Sequence, residues 1–329
     1  MRAFEYVVAD SSAAARALAR EVGGARFYAG GTTLVDLMKA DVERPQRVVD
    51  ISRLPLTAIE RRGDIVRIGA LARNSDVAYD AAVAQAFPAV SEALLSGASG
   101  QIRNSATIGG NLLQRTRCTY FRETRWRCNK REPGSGCDAL DGFNRGHAVL
   151  GTSDACIATY PGDLAVALAA LSANVVIEGD NGERTIALDE LYVLPGDEPQ
   201  HETSLAPGEL ITAIELRVEP LHARSHYLKV RDRASYEFAL ASVACAVELG
   251  ADGRIAQARV ALGGVATVPW RARDAEEALT GAASGDDVFR RAADVALAGA
   301  RTREHNAYKV ELAKRAVVRA LRTVCGGAA

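Results

Sequence analysis

The segment 113–160 lacks an obvious hydrophobic core, yet it holds four of the six cysteines in a chain of 329 residues: Cys118, Cys128, Cys137 and Cys156. Gly134, Gly136, Gly142, Gly146 and Gly151 loosen it further. A loop of that length cannot bury enough apolar surface to offset the entropy of ordering it. Something bound by its cysteines would supply the missing cross-link. The flanking sequence, by contrast, reads as ordinary folded protein, so the segment is expected to be a long insertion in a regular scaffold.

The cysteine spacing, C-x9-C-x8-C-x18-C, matches neither the paired C-x2-C of common zinc ribbons nor the tight runs of ferredoxins. Spacing alone therefore names no metal. Four thiolates can complete one all-cysteine site, for Zn²⁺ or for an iron–sulfur cluster. Disulfides or free thiols are the remaining readings, although six cysteines in a chain this long do not make a secreted disulfide scaffold. Eight basic residues between Arg115 and Asp154 face five acidic ones. That excess is either a solvated loop surface or a positive environment that would stabilise an anionic cluster and raise its potential. Cys245 and Cys325 read as small packing residues. His147 reads as a hydrogen-bonding loop histidine rather than a ligand.

On either side of the insertion, strands and helices alternate. Residues 4–8, 26–29, 47–51 and 65–68 read as strands. Helices are expected over 13–22, which Ser11 or Ser12 can cap, over 34–39, over 74–86, and from Pro88 to residue 95. After the insertion come a helix over 163–171 and strands over 174–178, 184–187 and 209–218. Past Pro220 the texture changes. Two apolar strands, 238–249 and 255–265, flank a Gly-Ala-Asp-Gly turn, and three helical stretches follow at 272–279, 288–300 and 307–324. Strands followed by helices predict an α+β unit with helices on one face of an antiparallel sheet. The boundary is placed near residue 220, giving domains 1–220 and 221–329.

Charge excludes little and guides less. Forty Lys and Arg nearly balance forty-one Asp and Glu, so nothing pulls the chain as a whole towards nucleic acid or acidic membranes. The most apolar stretch, 157–176, is interrupted by Pro161, Gly162 and Asp163 and is too broken for membrane insertion. No secretory signal is readable. A cytoplasmic protein is expected, or a periplasmic one if a signal-bearing partner exports it.

Two glycine loops carry chemistry. Gly30-Gly31-Thr32-Thr33 joins a strand to a helix, and Ser105, Thr107, Gly109, Gly110 and Asn111 form a second cluster. Glycines let a backbone approach a ligand, and threonine hydroxyls and free amides can bind an anion. Neither loop is a G-x-G-x-x-G fingerprint or a Walker loop. Each alone could be a tight turn with glycines at positive φ. Together they are better explained by one long diphosphate ligand lying between them.

The motifs FYAGGTTLVDLMK (27–39), IGALARNSDVA (68–78), ASGQIRNSATIGGNL (98–112), YPGDLAVALAAL (160–171) and YLKVRDRASYEFALASVACAVEL (227–249) occur in that order. Together they resemble the FAD-binding subunit of the molybdenum hydroxylases, the xanthine dehydrogenase and aldehyde oxidoreductase family, over nearly the whole chain. The resemblance implies an α+β fold: a two-lobed FAD-binding domain of the vanillyl-alcohol-oxidase type and a C-terminal domain closing over one side. It implies FAD contacts from Ala29, Gly30, Gly31, Thr32, Thr33 and Leu34, and from Ser105, Thr107, Gly109, Gly110 and Asn111. Asp163 would lie near the cofactor and Lys229 beside the flavin, where a cation favours the reduced ring. Ile211 would give an apolar contact to the ring or the adenine. A subset of the family, including certain bacterial aldehyde oxidoreductases and 4-hydroxybenzoyl-CoA reductase, is similar in holding a [4Fe–4S] cluster in such an insertion, which implies Cys118, Cys128, Cys137 and Cys156 as ligands.

By the same resemblance, no catalytic residue for substrate oxidation sits on this chain. A molybdenum-cofactor-binding large subunit would oxidise an aldehyde or heterocycle. Electrons would cross [2Fe–2S] clusters on a small subunit, reach FAD here and leave to an external electron acceptor. The competing readings are a self-sufficient flavin oxidoreductase of the same fold and a zinc-stabilised interaction scaffold.

Overall fold

The computed structural model describes residues 1–326. Three sheets organise it. The first is parallel, with strands β1 (Glu5–Val8), β2 (Arg26–Tyr28) and β3 (Arg47–Asp50) in the order β1-β3-β2. The helix Ser12–Glu21 connects β1 to β2, and its Ser11 N-cap accepts from the Ala14 amide at 3.2 Å, as the sequence suggests. The second sheet is antiparallel and contains β4 (Ile59–Arg62), β5 (Ile65–Gly69), β6 (Asn174–Gly179), β7 (Gly182–Ala187) and β8 (Leu210–Arg217), in the order β4-β5-β8-β6-β7. Strand β5 precedes the insertion while β6 and β8 follow it. The insertion therefore leaves and re-enters one lobe whose core (Ile68, Leu164, Leu168, Val175, Ile214) draws on both sides of it.

The third sheet is antiparallel, β12-β11-β10-β9, made of β9 (Ser225–Val230), β10 (Ala241–Leu249), β11 (Ile255–Gly263) and β12 (Trp270–Arg271). Side chains alternate along β10. Val243, Cys245 and Val247 pack beneath the helices Arg273–Leu279, Asp286–Ala296 and Tyr308–Val324. Ala244 and Ala246 join the core of the preceding lobe and face the helix Leu164–Ala170. Small residues on that side let the helix come close; a Cβ on Gly263 would sit 2.5 Å from Val166 Cγ2. The C-terminal helices cover one face of the sheet, as predicted, and the first domain covers the other.

Three local expectations change. The helix expected over 74–86 is two, Asn74–Tyr79 and Ala81–Ala86. Asp80 leaves the helix to cap the second one, its carboxylate accepting from the Val83 amide at 2.9 Å, a competition that short acidic side chains win at helix starts. Strands β4 and β9 were not foreseen. Three of the four β4 residues are exposed, and β9 is a pairing strand that β10 recruits, Ser242 opposite Lys229.

The insertion is not a free loop. Leu150 bridges to Ala266, and the Val149 amide donates to Val265 O at 2.8 Å. Val149 and Leu150 belong to the C-terminal core. The insertion thus knits the two domains together. Arg271 makes a second staple: it donates to Ala169 O at 2.9 Å and Ser172 Oγ at 2.8 Å and pairs with buried Glu276, whose carboxylate also accepts from the Val260 amide at 2.9 Å. Removing one partner of a buried pair strands the other charge. Glu276→Ala is expected to cost about 3–5 kcal/mol in urea unfolding, against about 0.5 kcal/mol or less for the exposed neighbour Glu277→Ala.

Candidate cofactor site

The two glycine loops, 75 residues apart in sequence, are pressed together. Ser105 Oγ donates to Gly30 O at 2.9 Å. A Cβ on Gly30 would lie 2.1 Å from Ser105 O, and one on Gly31, at φ 70, would lie 2.5 Å from the Tyr28 ring. Neither position accepts a side chain. The two loops use their amides differently. Gly109 N donates to Ala70 O at 2.8 Å, Ile108 N to Ala72 O at 3.0 Å, and Gly110 N to Thr107 Oγ1 at 3.3 Å. The second loop is therefore self-satisfied, and Thr107 acts as an N-cap. The amides of Gly30, Gly31, Thr32 and Thr33 find no acceptor among the described residues, and Thr33 gives the helix Leu34–Lys39 no side-chain cap. A run of free amides at a helix start is an anion seat. Ser105 is a loop clamp.

Two clefts open from this seat and share Thr32, Thr33 and Gly110 on their walls. The larger, ≈ 580 Å³, is lined by Ala29 to Leu34, Thr107, Gly109, Leu71 and Ile211, and by Arg115, Lys130 and Arg131 of the insertion. The smaller, ≈ 350 Å³, lies between the domains and is lined by Asn111, Asp163 and Lys229 with Arg233, Tyr236 and Phe238. All the residues expected to hold a cofactor except Ser105 thus line this pair of joined clefts, Ile211 in the larger and Lys229 in the smaller. A cleft of this size, closed at the middle by a backbone anion seat, fits a dinucleotide.

Lys229 is not a solvated strand lysine. Its side chain is 3% exposed, and Nζ donates to Asp163 Oδ2 at 2.8 Å and to Ser96 O at 3.2 Å. The Tyr227 hydroxyl donates to the other Asp163 oxygen at 2.6 Å. Burial, and then the carboxylate beside it, push the Tyr227 hydroxyl well above its ordinary range, so it remains a donor. Asp163, which makes no side-chain cap of its helix, is fixed by two donors at the cleft wall.

The four cysteines of the insertion meet in one apolar pocket. Cys118, Cys128 and Cys156 are buried with Leu37, Phe121, Ala139 and Ile157, and half-buried Cys137 packs against them. Cys128 and Cys137 are bridged through their backbones, and no disulfide forms. Burial pushes the Cys118 thiol up to about 12 and Cys156 to about 11; their neighbouring thiols add to both, and backbone amides oppose the shift. Those amides come from Phe121 and Tyr120 at Cys118, from Ala158 at Cys156, and from Ala139, Leu140 and Ile157 at Cys137. Backbone amides thus meet three of the four sulfurs of this pocket. Among the described residues, no group of three or more His, Cys, Asp or Glu side chains is placed to hold a metal ion.

Most of the insertion's basic residues are paired with carboxylates, although Lys130 also opposes the upward shift of the Cys156 thiol. Arg115 pairs with Glu43 and Glu202, Arg117 and Arg122 with Asp36, and Lys130 with Glu202. Arg127 pairs with Asp138 and Arg145 with Asp232. Arg115, Arg117, Arg122, Lys130 and Arg145 thus dock the insertion on elements outside it, each against a carboxylate.

Two family models divide the chain. The FAD binding domain in molybdopterin dehydrogenase matches residues 2–217, and the CO dehydrogenase flavoprotein C-terminal domain matches residues 226–324. The chain belongs to the FAD-binding subunits of the molybdenum hydroxylases. This FAD-binding subunit is 48% identical to the aldehyde oxidoreductase FAD-binding subunit PaoB of Escherichia coli strain K12, over 98% of each chain. It is 29% identical to the carbon monoxide dehydrogenase medium chain of Hydrogenophaga pseudoflava, over 90% of this chain and 86% of that one. Its fold superposes on the solved carbon monoxide dehydrogenase of the same organism with a TM-score of 0.78, at 27% identity and over 100% and 99% of the two chains. The subunit is part of an oxidoreductase.

Sequence reasoning missed several walls of the subunit's trough. Arg117 stacks over the Phe238 ring at 4.8 Å and lines the smaller cleft with Gln114 and Arg233. Tyr236 sits there at φ 55, a left-handed conformation uncommon for an aromatic residue. Only the quoted 227–249 motif pointed there, because arginine and aromatic residues in a loop have many surface uses.

Gly30→Ala is expected to unseat the loop and weaken FAD retention by at least about tenfold, or 1.4 kcal/mol, read as the flavin-to-protein absorbance ratio after dialysis. Gly100→Ala, where an added Cβ meets nothing within 4 Å, is expected to retain the wild-type ratio.

Proposed function

We propose that the chain is an FAD- and [4Fe–4S]-containing electron-transfer subunit of a molybdenum-dependent aldehyde oxidoreductase. In this reading the diphosphate sits on the free amides of Gly30 to Thr33, beside Gly110. The flavin ring lies in the inter-domain cleft, where Asp163 and Lys229 are locked together and Tyr236 and Phe238 cover it. The adenosine end lies towards Leu34 and Ile211. Bound FAD would supply a centre able to take and give electrons singly or in pairs. The protein's part is to orient it, to place a cation near the ring and to limit water. Cys118, Cys128, Cys137 and Cys156 would hold the cluster.

The observation that carries this reading is a shared element. The helix Leu34–Lys39 starts at the anion seat, and one turn later its Leu37 packs among Cys118, Phe121 and Cys128. One short helix therefore sets the distance between the dinucleotide trough and the thiol pocket, as an electron path requires. A zinc-stabilised scaffold would need neither the trough nor that proximity.

The relatives support the assembly. PaoB is by name the FAD-binding subunit of an aldehyde oxidoreductase, and other relatives are medium chains of carbon monoxide and glyceraldehyde dehydrogenases. We infer a large subunit holding the molybdenum cofactor, a small [2Fe–2S] subunit that delivers electrons, and an external acceptor that removes them. A self-sufficient flavin enzyme would instead turn over a small substrate as a single chain.

An absorption spectrum of the purified chain is expected to show flavin bands over a broad shoulder bleached by dithionite. Cys128→Ser is expected to remove that shoulder and about four irons per chain. Unchanged iron would overturn the ligand assignment, and zinc in place of iron would overturn the redox role.

A further inference from the structure

The thiol pocket is touched from outside by one imidazole. His147 Nε2 lies 3.1 Å from Cys118 Sγ, at a position shielded from solvent. The ring is 6% exposed by residue, tilts against Tyr120 with 6.0 Å between ring centroids, and leaves Nδ1 buried without a partner. With a thiolate at Cys118, only the tautomer carrying hydrogen on Nε2 can make this contact as a hydrogen bond.

Behind His147 stands a buried cation from the other domain. Lys309, near the start of the long helix Tyr308–Val324, has no exposed surface. Its ammonium has three hydrogens and three partners: Gly146 O at 3.1 Å, His147 O at 3.1 Å and Gly264 O at 2.5 Å. None of these partners is an anion. A fully buried ammonium held only by carbonyls is costly, and it clamps the very peptide that carries the imidazole. The adjacent Asn306 adds a second grip, its side-chain amide donating to Ala148 O at 3.1 Å.

We propose that His147 and Lys309 form a tuning unit for the thiolate-ligated centre: His147 Nε2–H donates to the Cys118 sulfur, and Lys309 fixes that donor and, in its protonated form, adds a buried positive charge. Both favour the more negative, reduced state of a cysteine-ligated cluster, because hydrogen bonds to ligand sulfur and nearby cations stabilise added electrons. The C-terminal domain thereby acts on a centre that the first domain holds. The scaffold-docking arginines cannot take this role, since carboxylates already neutralise them. This inference rests on the four cysteines holding an iron–sulfur cluster.

The test is an EPR-monitored redox titration of the iron-loaded protein, with iron counted in every sample. His147→Phe fills the same space without a donor and is expected to shift the cluster midpoint to a more negative potential. His147→Gln, which restores an N–H, is expected to recover part of the shift. Lys309→Met is expected to shift it in the same direction, while Lys314→Met, on the surface of the same helix, is expected to leave it unchanged. A wild-type midpoint in His147→Phe and Lys309→Met, with iron retained, overturns the proposal. If His147→Phe loses iron, the other two variants decide: a negative shift in Lys309→Met supports the unit, and wild-type midpoints in both His147→Gln and Lys309→Met overturn it. Wild-type protein without iron would overturn the cluster assignment itself, and the tuning unit with it.

Discussion

The contact between Gly30 and Ser105 leaves no room for a side chain, and much else depends on it. It joins the strand-to-helix loop of the parallel lobe to the loop that ends just before the insertion. Because the second loop spends its own amides on Ala70, Ala72 and Thr107, it is a rigid wall. The first loop, held against that wall, keeps its amides free. Rigidity on one side and unsatisfied donors on the other are what make a phosphate seat selective rather than merely polar. The trough, the position of the helix Leu34–Lys39 and the placement of Leu37 in the thiol pocket all follow from where this loop is pinned.

Electrostatics in the subunit divides into docking and tuning. The ion pairs Arg115–Glu43, Arg122–Asp36 and Lys130–Glu202 fasten the insertion to the scaffold. They are partly buried, so their removal would loosen the thiol pocket as a whole. Lys229 and Lys309 are different. Each is almost wholly enclosed, Lys229 at the inter-domain cleft with a carboxylate partner and Lys309 behind His147 with carbonyls alone. Enclosure keeps such charges effective, because little water screens them.

Much of the fold was legible in residue order. The hairpin around Gly253, the three C-terminal helices and the capped helix at Ser11 rest on local signals, and local interactions form them. The split of 74–86 at Asp80 was missed because one side chain chose to cap rather than continue a helix. Strand β9 was missed because its residues 225–230 form a strand only when β10 supplies the partners. The insertion's charge stayed open to two readings for a related reason: a run of arginines looks the same whether it surrounds an anion or reaches across to Glu43, Asp36 and Glu202 on distant elements.

Residue types and their order showed that two glycine loops suited to an anion and four clustered cysteines share this chain, since both are chemical statements that need no coordinates. Motif resemblance then fixed the family. Tertiary structure alone decided that Ser105 clamps Gly30, that Lys229 is locked to Asp163, and that His147 and Lys309 stand beside the thiol pocket. Those facts depend on contacts between residues 29 to 162 positions apart. Such contacts are set by how sheets and helices pack, and no local sequence signal encodes them.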